Sequence, residues 1–100
     1  MNIRPTYDLK KLKKLIANEE TRHFTKTSIV NAFGLGFSVT EIIDVILSLE
    51  NSNFYKTMPK RDCVGIWQDV YHSTGKGFDL YIKLQETPKN TGVIINFKQK

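Results

Sequence analysis

Cysteine occurs once in the 100-residue sequence, at Cys63. A single thiol excludes an internal disulfide and fits a reducing compartment. No apolar run approaches the roughly 20 residues that a membrane span needs. The opening MNIRPTYDLKK contains no apolar stretch of the signal-peptide kind. The expectation is therefore a cytoplasmic protein with no membrane association. Histidine is scarce, with only His23 and His72. Neither His belongs to a ligand cluster, so no metal and no cofactor are expected, and both read as surface or capping residues. Cys63 lies near His72 in sequence, but no orienting carboxylate pattern accompanies them, so the thiol reads as structural. Gly34-x-Gly36 reads as helix termination, not as a phosphate loop. Acidic charge is also in short supply. Ten Asp and Glu stand against fifteen Lys and Arg, a formal net charge of +5. In so short a chain that excess favours an anionic partner, with nucleic acid the commonest.

What is present points to one folded domain spanning residues 1–100. Hydrophobic residues make up 40% and charged residues 25%, which argues against disorder. The front of the chain is helical. Over 7–18, Leu9, Leu12, Leu15 and Ile16 form one face, and Lys10, Lys11, Lys13 and Lys14 cover the rest. Thr6 reads as its N-cap. A second helix over 26–34 follows Thr25, with Phe24 and Ile29 at staple positions and Gly34 and Gly36 ending it. A third over 39–49 opens on a capping box of Ser38 and Glu41. Its broad apolar face is Ile42, Ile43, Val45, Ile46 and Leu49.

After Glu50 the apolar period changes from 3.6 to two. Strands are expected at 53–58, 64–72, 77–85 and 92–98, with turns at 59–62, 73–76 and 87–91. Such short loops make a mainly antiparallel sheet. The fold class is α+β, with three N-terminal helices on one face of the sheet and the other face free.

The hairpin NFYKTMPKRDCVGIWQDVY strands polar groups among apolar ones. Lys56 lies between Phe54 and Met58, and Gln68 between Ile66 and Val70. Lys60 and Arg61 sit at the turn. Tyr55 and Met58 border Lys56, placed either to contact bases or to pack. In the next strand Phe78, Leu80, Ile82 and Leu84 alternate with Asp79, Tyr81, Lys83 and Gln85, so Tyr81 and Lys83 belong to the polar face. In the last, Val93, Ile95 and Phe97 alternate with Ile94, Asn96 and Lys98. Alternation in the second strand groups Gln68 with Val64, Ile66 and Val70, against Trp67, Asp69 and Tyr71. On that pattern alone Gln68 is a buried residue with a local partner.

The blocks FYKTM, IWQDVY, LYIKL and INFK, in this order and spacing, resemble the MqsR toxins. The resemblance covers nearly the whole chain. It is most specific over residues 53–71, and the turn STGKG and residues 86–92 depart from the family pattern. It implies a RelE-like fold and an mRNA interferase, an endoribonuclease that cuts at GCU-like sites without a metal. It implies catalytic positions at Lys56, Gln68, Tyr81 and Lys98. It implies a cognate zinc-containing, DNA-binding antitoxin, and promoter DNA reached indirectly through that complex. It also moves Gln68 to the functional face, which a β-bulge or strong twist near Asp69 would reconcile with the alternation.

The residue types suit that chemistry. Cleavage without a metal uses the 2′-hydroxyl as nucleophile on the adjacent phosphate. Two lysines supply positive charge there, Gln68 orients the scissile group and Tyr81 donates or relays a proton. A lysine crowded by another has a lowered pKa and can serve as a base. Tyr55, Met58, Lys60, Arg61 and Lys83 are the candidate RNA contacts. The rival class is a non-catalytic RNA- or DNA-binding module using the same basic face, and a third is a structural adaptor.

Overall fold

The first helix begins later than expected, because the residues before it are held by the sheet. The computed structural model describes residues 4–100. Helix α1 spans Leu9–Ala17 and is capped by Asp8, whose carboxylate accepts from the Lys10 amide. Thr6 is not the cap. Its amide donates to Asp69 Oδ1 at 3.0 Å, and the Tyr7 amide donates to Asp69 Oδ2 at 2.9 Å. A buried carboxylate with two backbone donors is well satisfied, and it pins this segment to the sheet.

Helices α2 (Lys26–Gly34) and α3 (Val39–Leu47) start where expected, at Thr25 and Ser38. Thr25 accepts from the Ser28 amide, and the Ser38–Glu41 capping box is complete. Gly36, at φ 89°, supplies the left-handed residue that turns the chain after α2.

The sheet has five strands in the order β1-β5-β4-β3-β2. Strands β2 (Phe54–Pro59), β3 (Trp67–Gly75), β4 (Phe78–Glu86) and β5 (Gly92–Gln99) form an antiparallel meander. Strand β1 (Arg22–Phe24) lies between α1 and α2 and pairs with β5 in parallel, so the sheet is mixed. Three residues are too few to show a period of two, which is why sequence reasoning passed over this strand. Beyond β1, Thr25 donates its amide to the Ile94 carbonyl and its hydroxyl to the Ile95 carbonyl, and α2 continues along that flank.

The core lies between the helices and one sheet face. Leu12, Ile16, Ile42, Ile46 and Leu49 meet Tyr71, Leu80, Ile82, Leu84, Ile94 and Phe97, all fully buried. Burial of this kind is the main stabilising term, at about 25 cal/mol per Å² of apolar surface.

Three facial assignments change. Strand β3 starts at Trp67, and Val64 and Ile66 belong to an exposed loop closed by the Lys60 amide donating to the Ile66 carbonyl at 2.7 Å. Val70 is buried but stands outside the core cluster, so the face of Gln68 and Val70 is the open one. The β3–β4 pairing runs without interruption from Asp69 to Gly75, so no bulge lies near Asp69. The bulges are elsewhere. One sets Tyr55 between the pairs Phe54–Tyr71 and Lys56–Val70. The other sets Ile95 between Asn96–Lys83 and Ile94–Leu84, so Ile94 joins Phe97 in the core where simple alternation put Ile95.

Candidate active site

The open face is organised as rows across the strands. In one row His72 pairs with Tyr81, and Tyr81 with Lys98. In the next, Lys56 pairs with Val70, Val70 with Lys83 and Lys83 with Asn96. In the third, Met58 pairs with Gln68, and Gln85 with Val93. The Gln68 side-chain amide bridges the gap within that row, donating to Gln85 Oε1 at 3.0 Å. The bulge at Tyr55 matters here, because it allows both Tyr55 and Lys56 to serve this surface. The Tyr55 ring stacks on His72, with centroids 4.0 Å apart and planes 20° apart. Lys56 Nζ lies 5.5 Å from the Tyr55 ring centroid.

Tyr81 is the centre of the cluster. Lys98 Nζ lies 4.9 Å and Lys83 Nζ 5.9 Å from its ring centroid. The His72 ring lies 6.1 Å away, and the phenol O–H points to Met58 Sδ at 4.0 Å. Cations over an aromatic face are drawn to its quadrupole, so the ring gathers the lysines that would otherwise splay apart. Their mutual repulsion on this face costs stability, and a bound phosphate would relieve it.

The titrations follow from this crowding. Burial lowers the Lys83 pKa, and Lys98 and Lys56 lower it further. Burial likewise lowers the His72 pKa, with Lys100 and Lys56 adding to the effect. The Tyr81 pKa is raised by burial and by Tyr55, so its phenol keeps its proton. A crowded lysine with a lowered pKa is therefore present, and it is Lys83.

All four positions implied by the sequence blocks stand on this face, as do Tyr55, Met58 and Lys83. Lys60 and Arg61 lie on the exposed loop beyond β2, and none of the contacts tying the cluster together involves them. Among the described residues no three His, Cys, Asp or Glu side chains converge in a way that would hold a metal ion.

Residues 4–99 match the family described as motility quorum-sensing regulator, toxin of MqsA. The chain belongs to the MqsR toxin family. It is also 33% identical over 96 residues to the mRNA interferase toxin MqsR of Escherichia coli (strain K12), an alignment covering 96% of this chain and 95% of the relative. The MqsR resemblance of the sequence blocks is thus borne out along nearly the full length.

Two residues of this MqsR family member were missed by sequence reasoning. His72 read as a surface or capping residue, yet it is partly buried and stacked at the edge of the lysine cluster. The signal was present: Gln68, Val70 and His72 share a period of two. Val70, apolar and buried between them, masks it. Gln85 stands on the polar face that alternation predicts, and it is the partner that fixes Gln68. The other histidine, His23, is exposed on β1 at the far edge of the sheet. Among the described residues no single helix is long and apolar enough to cross a membrane.

Proposed function

We propose that this protein is a RelE-like mRNA interferase, the cytoplasmic toxin of a toxin–antitoxin pair, cutting RNA on its open sheet face without a metal. The observation that carries the reading is the convergence of Lys56, Gln68, Tyr81 and Lys98 on three adjacent rows of one face. The 2′-hydroxyl attacks the adjacent phosphate, and the products are a 2′,3′-cyclic phosphate and a free 5′-hydroxyl. Lys56 and Lys98 lie on either side of the Tyr55–His72–Tyr81 aromatic group, and a phosphate seated there meets positive charge from both. Charge placed before the reaction needs no reorganisation during it, and that term is usually the largest in such catalysis. Gln68, buried and anchored by Gln85, presents a fixed amide edge to the scissile group. Tyr81 donates a hydrogen bond from a phenol that stays protonated. Tyr55 offers an exposed ring on which a base can stack.

The family description supports an antitoxin partner. We assign this role to a zinc-containing protein with a DNA-binding domain, through which the toxin reaches promoter DNA. The preference for GCU-like sites rests on the family resemblance.

The test is cleavage of a short RNA with one GCU site by the purified chain in EDTA. Cyclic-phosphate ends and undiminished rate are expected. Loss of cleavage in EDTA would remove the metal-independent mechanism. Tight RNA binding without any cleavage would turn the reading to a binding module. Co-purification with the product of the neighbouring open reading frame, carrying a zinc-ligand cysteine pattern and a helix-turn-helix, tests the partner.

A further inference from the structure

The open face has lysines and a tyrosine in place but no group among them that is an effective base at neutral pH. Ordinary lysine and tyrosine pKa values lie near about 10. Tyr81 is pushed higher still, so it keeps its proton and serves as a hydrogen-bond donor. Burial, with Lys98 and Lys56 beside it, pushes Lys83 down, which makes its ammonium a readier proton donor than an ordinary lysine. The attacking hydroxyl still needs somewhere to send its proton.

We propose that His72 is the general base of this site, taking the proton of the 2′-hydroxyl onto its imidazole while Tyr55 holds the ring in place. The proposal rests on the RNA-cleavage reading above and adds a catalytic residue to it. Three observations carry it. His72 pairs directly with Tyr81 across β3 and β4, and Tyr81 with Lys98, so the imidazole lies in the row that holds the phosphate-facing charge. Its ring is fixed by stacking on Tyr55 at 4.0 Å. It also opens onto a groove of about 280 Å³ lined by Asn53, His72, Ser73, Thr74, Asp79 and Lys100. A nucleotide sugar needs such an opening to bring its hydroxyl to the ring nitrogen.

The groups around the imidazole favour its neutral form. From β2 come Tyr55 and Lys56, from β4 Tyr81 and Asp79, and from the end of the chain Lys100. Burial first, then Lys100 and Lys56, disfavour its charged form, so the imidazole sheds its proton below the ordinary histidine value. At neutral pH it therefore carries a free lone pair, which a base requires.

The step balances. The 2′-O–H proton moves to His72, the 2′-oxygen bonds to phosphorus, and the P–O5′ bond breaks. The departing oxygen takes a proton from the Lys83 ammonium, which releases it more readily than an ordinary lysine. The imidazolium then returns its proton to solvent, and Lys83 regains one.

The experiment is the pH profile of kcat/KM on a one-site oligonucleotide, with cyclic-phosphate ends as the product assay. The wild type should show a rising limb centred below the ordinary histidine value of about 6.5. His72→Gln should lose that limb and lower kcat by roughly a hundredfold or more, with KM little changed. Lys100→Gln removes a charge that disfavours the imidazolium, so the limb should move up in pH, whatever the change does to the plateau. Proton NMR of the His23→Gln protein, in which His72 is the only histidine, should give a titration midpoint matching the limb. It needs no change at His72 itself. A His72→Gln protein with wild-type turnover and an unmoved limb would overturn the proposal and leave RNA cleavage standing. A titration midpoint that does not coincide with the limb would do the same. No cleavage by the wild type at any pH would remove both.

Discussion

The Gln68 side chain is buried at 6% exposure, and its Nε2 donates to Gln85 Oε1 at 3.0 Å. Burial and function are often read as alternatives for a polar side chain in a strand. On the proposed reading they coincide, because the open face of β3 is walled by its neighbours and the amide is fixed before any ligand arrives. Preorganisation of this kind saves the ordering cost at the moment of binding.

On that reading Gln85 is a positioning residue. Gln85→Leu leaves the Gln68 amide without its acceptor, and turnover should fall by roughly three- to tenfold, the worth of one hydrogen bond. Gln85→Glu keeps an acceptor and should retain more activity than Leu. Saturation kinetics check this. Equal turnover for wild type and Gln85→Leu would show that Gln68 needs no anchor.

Asp69 holds the start of the chain against the sheet through the amides of Thr6 and Tyr7. Asp69→Asn replaces one acceptor oxygen by a donor and leaves an amide unmet, which should cost about 1–3 kcal/mol. In a domain of this size each kcal/mol lowers Tm by roughly 4–8 °C. Thermal unfolding followed by circular dichroism reads the change, and an unaltered Tm would contradict the assignment.

Lys83 gives the falling side of the pH profile. Its pKa is lowered, so its positive charge is complete at low pH and is lost, as pH rises, earlier than for an ordinary lysine. The falling limb of kcat/KM should accordingly centre below the usual lysine value of about 10.4. Lys83→Arg keeps the charge and should move that limb to higher pH, whatever it does to the plateau. A limb at or above the ordinary lysine position in the wild type would contradict the crowding argument.

Gly92 shows how tightly α1 sits on β5. A Cβ at this position would lie 2.8 Å from Ile16 Cγ1 and 3.1 Å from Leu15 Cβ. Gly92→Ala should therefore destabilise the fold by about 1–3 kcal/mol through overpacking. The crowding is on the helix-covered side, so turnover well below Tm should be unchanged. Denaturant unfolding and kinetics on the same preparation separate the two effects.

Much of this architecture was legible in the amino-acid order. The caps at Thr25 and Ser38 are local hydrogen-bonding patterns, and local patterns survive tertiary context. Strand β4 alternates cleanly because one side meets the helices and the other does not, so Tyr81 and Lys83 were placed correctly. Errors arose where a non-local contact decides the outcome. Asp69 draws Thr6 away from helix capping across 63 positions of sequence. The bulges at Tyr55 and Ile95 shift the side-chain period without leaving a mark in composition. Val70 is apolar and buried yet lies on the open face, and reading it as core hides His72. The positions of Lys56, Gln68, Tyr81 and Lys98 were implied by the resemblance of four short blocks. Their meeting on one face depends on strand pairings that no single block contains.

Catalysis by the lysine-rich face is the central claim, and Lys56 tests it most directly. Wild type and Lys56→Ala should be compared at saturating concentrations of an oligonucleotide with one cleavable site. If Lys56 stabilises charge that develops only in the transition state, turnover at saturation should fall by roughly a hundredfold or more. Lys56→Arg should not restore it fully, because a planar fork replaces a compact point charge. Equal turnover for wild type and Lys56→Ala, with only the salt dependence of binding reduced, would contradict the account and leave a basic RNA-binding surface in its place.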